Sequence, residues 1–139
     1  MRYEKFGDTW LVRLDLGEEI SESLKIFCGR EGIRLAQVNG LGAANRAAIG
    51  VFVPEKRVYS REELDEFMEI ISLTGNVTWV DDQPFVHLHA ALADQRHGIH
   101  CGHVLEMYVG ATCELFVSAM PGQVTRVRDE SLGINLMHF

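Results

Sequence analysis

Five of the six histidines in this 139-residue chain fall between positions 87 and 103, and His87 and His89 are separated by a single residue. They sit in Phe85-Val86-His87-Leu88-His89-Ala90-Ala91-Leu92, an otherwise apolar run preceded by the turn-forming Asp81-Asp82-Gln83-Pro84, which reads as a β-strand. On a strand, residues i and i+2 face the same side, with Cβ atoms roughly 6–7 Å apart. Two imidazoles so placed can converge on one cation. His103, thirteen intervening residues later, is the natural third ligand from a neighbouring strand. Three neutral imidazoles with an open fourth position make a catalytic type of zinc site, whereas closed structural sites favour cysteine. On spacing alone a second reading stands beside it, in which the strand histidines are hydrogen-bonded core residues.

A metal site that activates water also needs a carboxylate nearby. Glu69 and Glu114 are the candidates, because each lies in an otherwise apolar strand where an unpartnered ionised side chain is costly. Alternatively, each points outward or pairs with an arginine such as Arg46, which is also the candidate for meeting an anionic substrate. Polar neighbours make His97 and His100 solvent-facing turn residues. Cys101 reads as a small buried hydrophobe, with a soft metal ligand as the alternative.

Formal net charge is −7, and its distribution is uneven. Between Glu62 and Thr125 there are ten acidic residues and one basic residue, Arg96, giving 1 − 10 = −9. Such a surface attracts cations and repels phosphate backbones, which disfavours direct DNA binding. The three cysteines form no CxxC pair and read as reduced thiols. No window approaches the ~18 apolar residues of a membrane span, and the first residues lack a signal-peptide core. The expectation is a soluble, cytoplasmic protein of one domain, residues 1–139.

The elements that must position these side chains are mostly strands. Trp10, Val12 and Leu14 alternate with Leu11, Arg13 and Asp15 as a first strand. Ile20, Leu24, Phe27 and Cys28 form one apolar helical face, so a helix is expected over about 18–30, ended by Gly32. Residues 33–38 read as a buried strand, interrupted by Asn39-Gly40-Leu41-Gly42 as a bend or bulge before a further strand at 46–53. A hairpin through Pro54–Arg57, an acidic loop or helical turn at 61–66, and a bent strand or pair of strands over 68–80 follow. The last long strand is centred on Glu114-Leu115-Phe116-Val117, and the tail from Val124 alternates weakly. One helix among seven or eight strands implies an α+β domain on a strongly bent, mostly antiparallel or barrel-like sheet. Exposed strand edges would find cover by self-assembly.

An ordered series of motifs resembles the plant- and prokaryote-conserved (PPC) domain family. It runs from Leu14-Asp15-Leu16-Gly17-Glu18-Glu19 through Val38-Asn39-Gly40-Leu41-Gly42-Ala43 and Glu69-Ile70-Ile71-Ser72-Leu73-Thr74-Gly75-Asn76. It continues in Pro84-Phe85-Val86-His87-Leu88-His89-Ala90 and Gly102-His103-Val104-Leu105-Glu106, and closes at Thr112-Cys113-Glu114-Leu115. The resemblance implies a homotrimer whose prokaryotic members carry a metal, commonly zinc or another divalent transition metal, on histidines matching His87, His89 and His103. The implied fold also looks like that of acetolactate decarboxylase, whose zinc sits on three histidines, two of them in an H-x-H pair. That kinship implies a small-molecule metalloenzyme without naming a substrate. The family's other associations imply a DNA-associated regulatory module or a trimeric scaffold as alternatives. This chain departs from the family in having Cys101-Gly102-His103 for Gly-Gly-His and Glu66-Phe67-Met68 for the plant Gly-Arg-Phe, and it lacks the plant Arg-Gly-Arg-Pro hook.

Overall fold

The computed structural model describes residues 1–139. The chain runs β1 (Arg2–Phe6), β2 (Thr9–Asp15), α1 (Ile20–Glu31), β3 (Ala36–Val53), β4 (Val58–Leu64), β5 (Met68–Val80), β6 (Gln83–Ala93), β7 (Ile99–Ala119), β8 (Thr125–Asp129) and β9 (Ile134–His138). The strands join in one sheet in the order β1-β2-β7-β3-β5-β8-β9, with β4 beside β3. Both β3 and β6 pair with β5 and with β7, so these four strands turn back on one another as a partial ring. All pairings are antiparallel apart from a single parallel contact, Trp79 with Thr125. This is the expected α+β architecture, although it is a bent sheet with a partial ring rather than a clean barrel.

The helix forms where its apolar face predicts, and Ile20, Leu24, Phe27 and Cys28 are all buried. Glu19 caps it: one carboxylate oxygen accepts from the Glu22 backbone N–H at 2.6 Å, and the other accepts from Met107 N–H on β7 at 3.0 Å. A single side chain thus starts the helix and pins it to the longest strand. Phe27 meets the rings of Tyr3 and Trp10 edge-on, at 4.8 and 5.5 Å between centroids. Beneath the helix, Leu14, Val38, Leu73, Leu88, Leu92, Met107 and Leu115 bring β2, β3, β5, β6 and β7 into the same buried cluster.

Several boundaries differ from the expectation. Asn39–Gly42 does not interrupt β3, whose pairing with β5 continues across a register shift between Gly40 and Gly42. Gly42 takes a φ of 149°, and a Cβ there would collide with the Thr112 carbonyl on β7. Residues 68–80 form one strand, β5, the first of the two expected alternatives, with Thr74-Gly75-Asn76 inside it. The acidic stretch at 61–64 is strand rather than loop, because β4 pairs with β3 from Val53↔Val58 through Ala47↔Leu64. Its charges point to solvent, where Arg61 pairs with Glu63 and with Glu106. The weakly alternating tail forms a hairpin of β8 and β9.

Candidate metal centre

Strand alternation sorts the β6 side chains into two sets. Leu88, Ala90 and Leu92 point into the core, while Phe85, His87 and His89 share the opposite face. Asn76 and Thr74 on β5 lie across from His87 and His89, and on the other side of β6 His89 is paired with His103 of β7. The predicted three histidines therefore converge, with ring centroids 4.9–5.4 Å apart and potential ligand nitrogens all within 4.8 Å of one another. A tetrahedral zinc with bonds of about 2.0–2.1 Å would draw such nitrogens somewhat closer.

Two glycines make this convergence possible. A Cβ on Gly75 would collide with the His87 carbonyl, and one on Gly102 would lie 2.8 Å from the Gly50 carbonyl oxygen. Gly50 is itself the β3 partner of His103. Side chains at either glycine would push apart the strands that bear the histidines.

The setting of His87 and His103 favours their neutral imidazoles, each of which offers one lone-pair nitrogen. His103 stacks on Tyr59 with centroids 4.6 Å apart, and its Nδ1 is buried without any hydrogen-bond partner. Burial first, and then the proximity of His87 and His89, push His103 down to about 4. His87 is lowered by burial, by the Arg126 guanidinium and by His89. A buried imidazole nitrogen with no partner is an unmet polar group. A metal ion bound there would satisfy it.

The cluster borders a cavity of about 510 Å³ lined by Val51, Phe52, Tyr59, Ala90 and Cys101 beside the three histidines. Cys101 is exposed on β7, contrary to its reading as a buried hydrophobe, since alternation turns it toward this opening. On the far side of His87 and His103 lies a second cavity of about 320 Å³, which includes Phe85, Arg126 and Arg128. No aspartate or glutamate lines either one. The acidic surplus lies elsewhere, with Glu62 and Asp94 held on His100 and Glu106 paired with Arg46.

The other candidate residues stand apart from the histidines. Glu69 is exposed on β5 across from Ala93. Glu114 is exposed on β7 and lines a different cavity with Leu41, Ile71 and Phe116. Arg46 stacks on Tyr108 at 4.1 Å and joins Gly17, Asn45 and Asp65 around a third opening. His97 is the exposed turn residue expected, but His100 belongs to β7, between Glu62 at 2.9 Å and Asp94 at 3.4 Å. Tyr59, Phe85 and Arg126 went unrecognised in the sequence. Their only signal was an aromatic in a hairpin, an aromatic at the same strand parity as the histidines, and an arginine in a weakly alternating tail.

The model of the Plants and Prokaryotes Conserved (PCC) domain family matches residues 1–121. This chain belongs to the PCC-domain family. Its structure is similar to that of a metal-containing protein of Archaeoglobus fulgidus, with 34% identity, a TM-score of 0.89, and 100% and 99% of the two chains covered. It is equally similar to a plant- and prokaryote-conserved protein of Pyrococcus horikoshii, at 34% identity, TM-score 0.89, and 99% and 95% coverage. A Bacteroides thetaiotaomicron protein provisionally assigned to DNA binding has 29% identity and a TM-score of 0.95, over 99% and 96% of the chains. No curated protein matches this PCC chain significantly. No helix of the PCC domain is long and apolar enough to cross a membrane.

Proposed function

We propose that this PCC-domain protein is a homotrimer of single domains, residues 1–139, that holds zinc or a similar divalent transition metal on His87, His89 and His103. The observation that carries the reading is the convergence of the three rings, with one nitrogen from each within 4.8 Å of the others, together with the buried, partnerless Nδ1 of His103. The donor set agrees, since imidazole suits zinc, copper, iron and nickel alike. So does the metal-containing character of the Archaeoglobus relative. When bound, the ion supplies Lewis acidity at an open fourth position. That position opens to cavities of about 510 and 320 Å³, a size that suits a small molecule and favours a metalloenzyme over a closed structural site. Three free cysteines fit a reducing, cytoplasmic setting.

Self-assembly is supported by an exposed apolar row elsewhere on the same outer face of the sheet, away from the histidines. Leu11 pairs across from Phe116, and Leu41 and Ile71 continue the row on β3 and β5.

The test is metal analysis of protein purified without chelator. Stoichiometric metal is expected in the wild type and little in His87→Ala/His89→Ala or His103→Ala, with affinity lower by more than ~100-fold, the upper range for loss of supporting groups alone. Metal content unchanged by these substitutions would refute the assignment. The alternative, a DNA-associated role like that provisionally given to the Bacteroides relative, is opposed by the net charge of −7. It would require binding to duplex DNA that weakens steeply with added salt.

A further inference from the structure

Arg126 is a cation without a counter-charge. It reaches from β8 across the face of β6, and its guanidinium carbon lies 4.8 Å from the Phe85 ring centroid. Nε donates to Thr78 Oγ1 at 2.8 Å, one terminal nitrogen to the Asn135 carbonyl at 2.9 Å, and the other to Asn76 Oδ1 at 2.9 Å. Thr78 and Asn76 are the β5 partners of Phe85 and His87, so the guanidinium is fixed directly over the histidine-bearing face. All three acceptors are neutral. No carboxylate forms an ion pair with Arg126, while its neighbour Arg128 meets Glu130 at 3.9 Å on the surface.

A guanidinium carries five N–H donors, and Arg126 uses three of them, leaving 5 − 3 = 2, one on each terminal nitrogen. A partly buried charge without a partner is costly, and the protein surrounds this one with an acid-free cavity of about 320 Å³ that also contains His87, His103, Tyr59 and Phe85. A divalent ion on three neutral imidazoles would add two further positive charges beside it. Arg46, by contrast, is already neutralised by Glu106 at 3.3 Å and leaves its own cavity without a free cation.

We propose that this cavity binds a small carboxylic acid, its carboxylate on the two unused N–H groups of Arg126 and its short carbon body between Phe85 and the open side of the histidine cluster. The planar fork of arginine matches the two oxygens of a carboxylate, and the aromatic walls suit a compact organic body better than a fully hydrated anion. The proposal deepens the metal reading and rests on it only for the ligand's approach to the fourth coordination position. The Arg126 contact stands without the ion.

Pyruvate is the probe, titrated into zinc-loaded and chelator-treated protein while the Arg126 Nε–H resonance is followed by NMR. Saturable binding that shifts this resonance is expected in both, tighter with zinc. Arg126→Gln should weaken binding about tenfold or more, as loss of a charged hydrogen-bonded pair does, and keep the metal content of the wild type. Lys25→Gln, which removes a surface cation of α1 paired with Glu22 and remote from the cavity, should bind pyruvate as the wild type does. The proposal is overturned if pyruvate leaves the Arg126 resonance of the wild-type protein unmoved, if Arg126→Gln binds it unchanged, or if inorganic phosphate binds there more tightly than pyruvate. Absence of metal with the Arg126 shift intact would instead refute only the metal reading.

Discussion

His103 and His100 are three residues apart on one strand yet sit in opposite electrostatic settings. His103 is pressed down to about 4 by burial and by its two neighbouring imidazoles, whereas Glu62, and then Asp94, hydrogen-bond His100 and hold it above its ordinary value of 6.5. In metal-free protein, imidazole NMR signals followed against pH should show His103 titrating far below 6.5 and His100 above it. Two coincident midpoints near 6.5 would contradict the geometry. The linkage has opposite signs for the two groups. Below 6.5 the unfolded chain protonates its counterpart of His103 first, so metal-free stability falls as pH drops from 6.5 toward 4. The His100 contribution is complete below 6.5 and fades as pH rises through its higher folded value. The histidine pair was legible in the sequence because strand parity is a local property that places His87 and His89 on one face. Tyr59 and Arg126 were not, because only the pairing of β4 with β3 and the reach of β8 over β6 bring them to the histidines.

At the scale of elements, glycine marks close approach in the sheet and lost stability in the helix. Gly75→Ala forces a Cβ into the His87 carbonyl and should destabilise by about 1–3 kcal/mol in urea unfolding, with weaker metal retention. Gly29→Ala, on the exposed side of α1, places its Cβ at 3.7 Å from Pro84, an ordinary contact. It should stabilise by roughly 0.5–1 kcal/mol. Equal effects from the two substitutions would mean that strand crowding does not govern the site. The helix was readable because its 3.6-residue apolar period and its terminal Gly32 agree, while the capping role of Glu19 shows only in its contacts with Glu22 and Met107. The lengths of β3 and β7 were not, since glycines that look like breaks in a linear reading serve as bulges once both neighbouring strands continue across them.

For the whole molecule, two patches stand apart on the outer, core-averted face of one bent sheet. One patch carries the histidines and Arg126, and the other exposes Leu11, Leu41, Ile71 and Phe116. Phe116 is 55% exposed, so Phe116→Asp removes no core contact and should leave the fold intact. Sedimentation is expected to show a smaller species for this variant than for a trimeric wild type. A wild type that already sediments as a monomer would remove the assembly proposal. Net charge was legible as a total but misleading in its place, because folding gathers acids on His100, Arg46 and Arg61 and leaves the cavities beside the three histidines without any. The most direct measurement is X-ray diffraction on either side of the zinc absorption edge, from crystals of protein purified without chelator. The account predicts one anomalous peak about 2.0–2.1 Å from a nitrogen of each of His87, His89 and His103; three ordered imidazoles with no peak between them would contradict it.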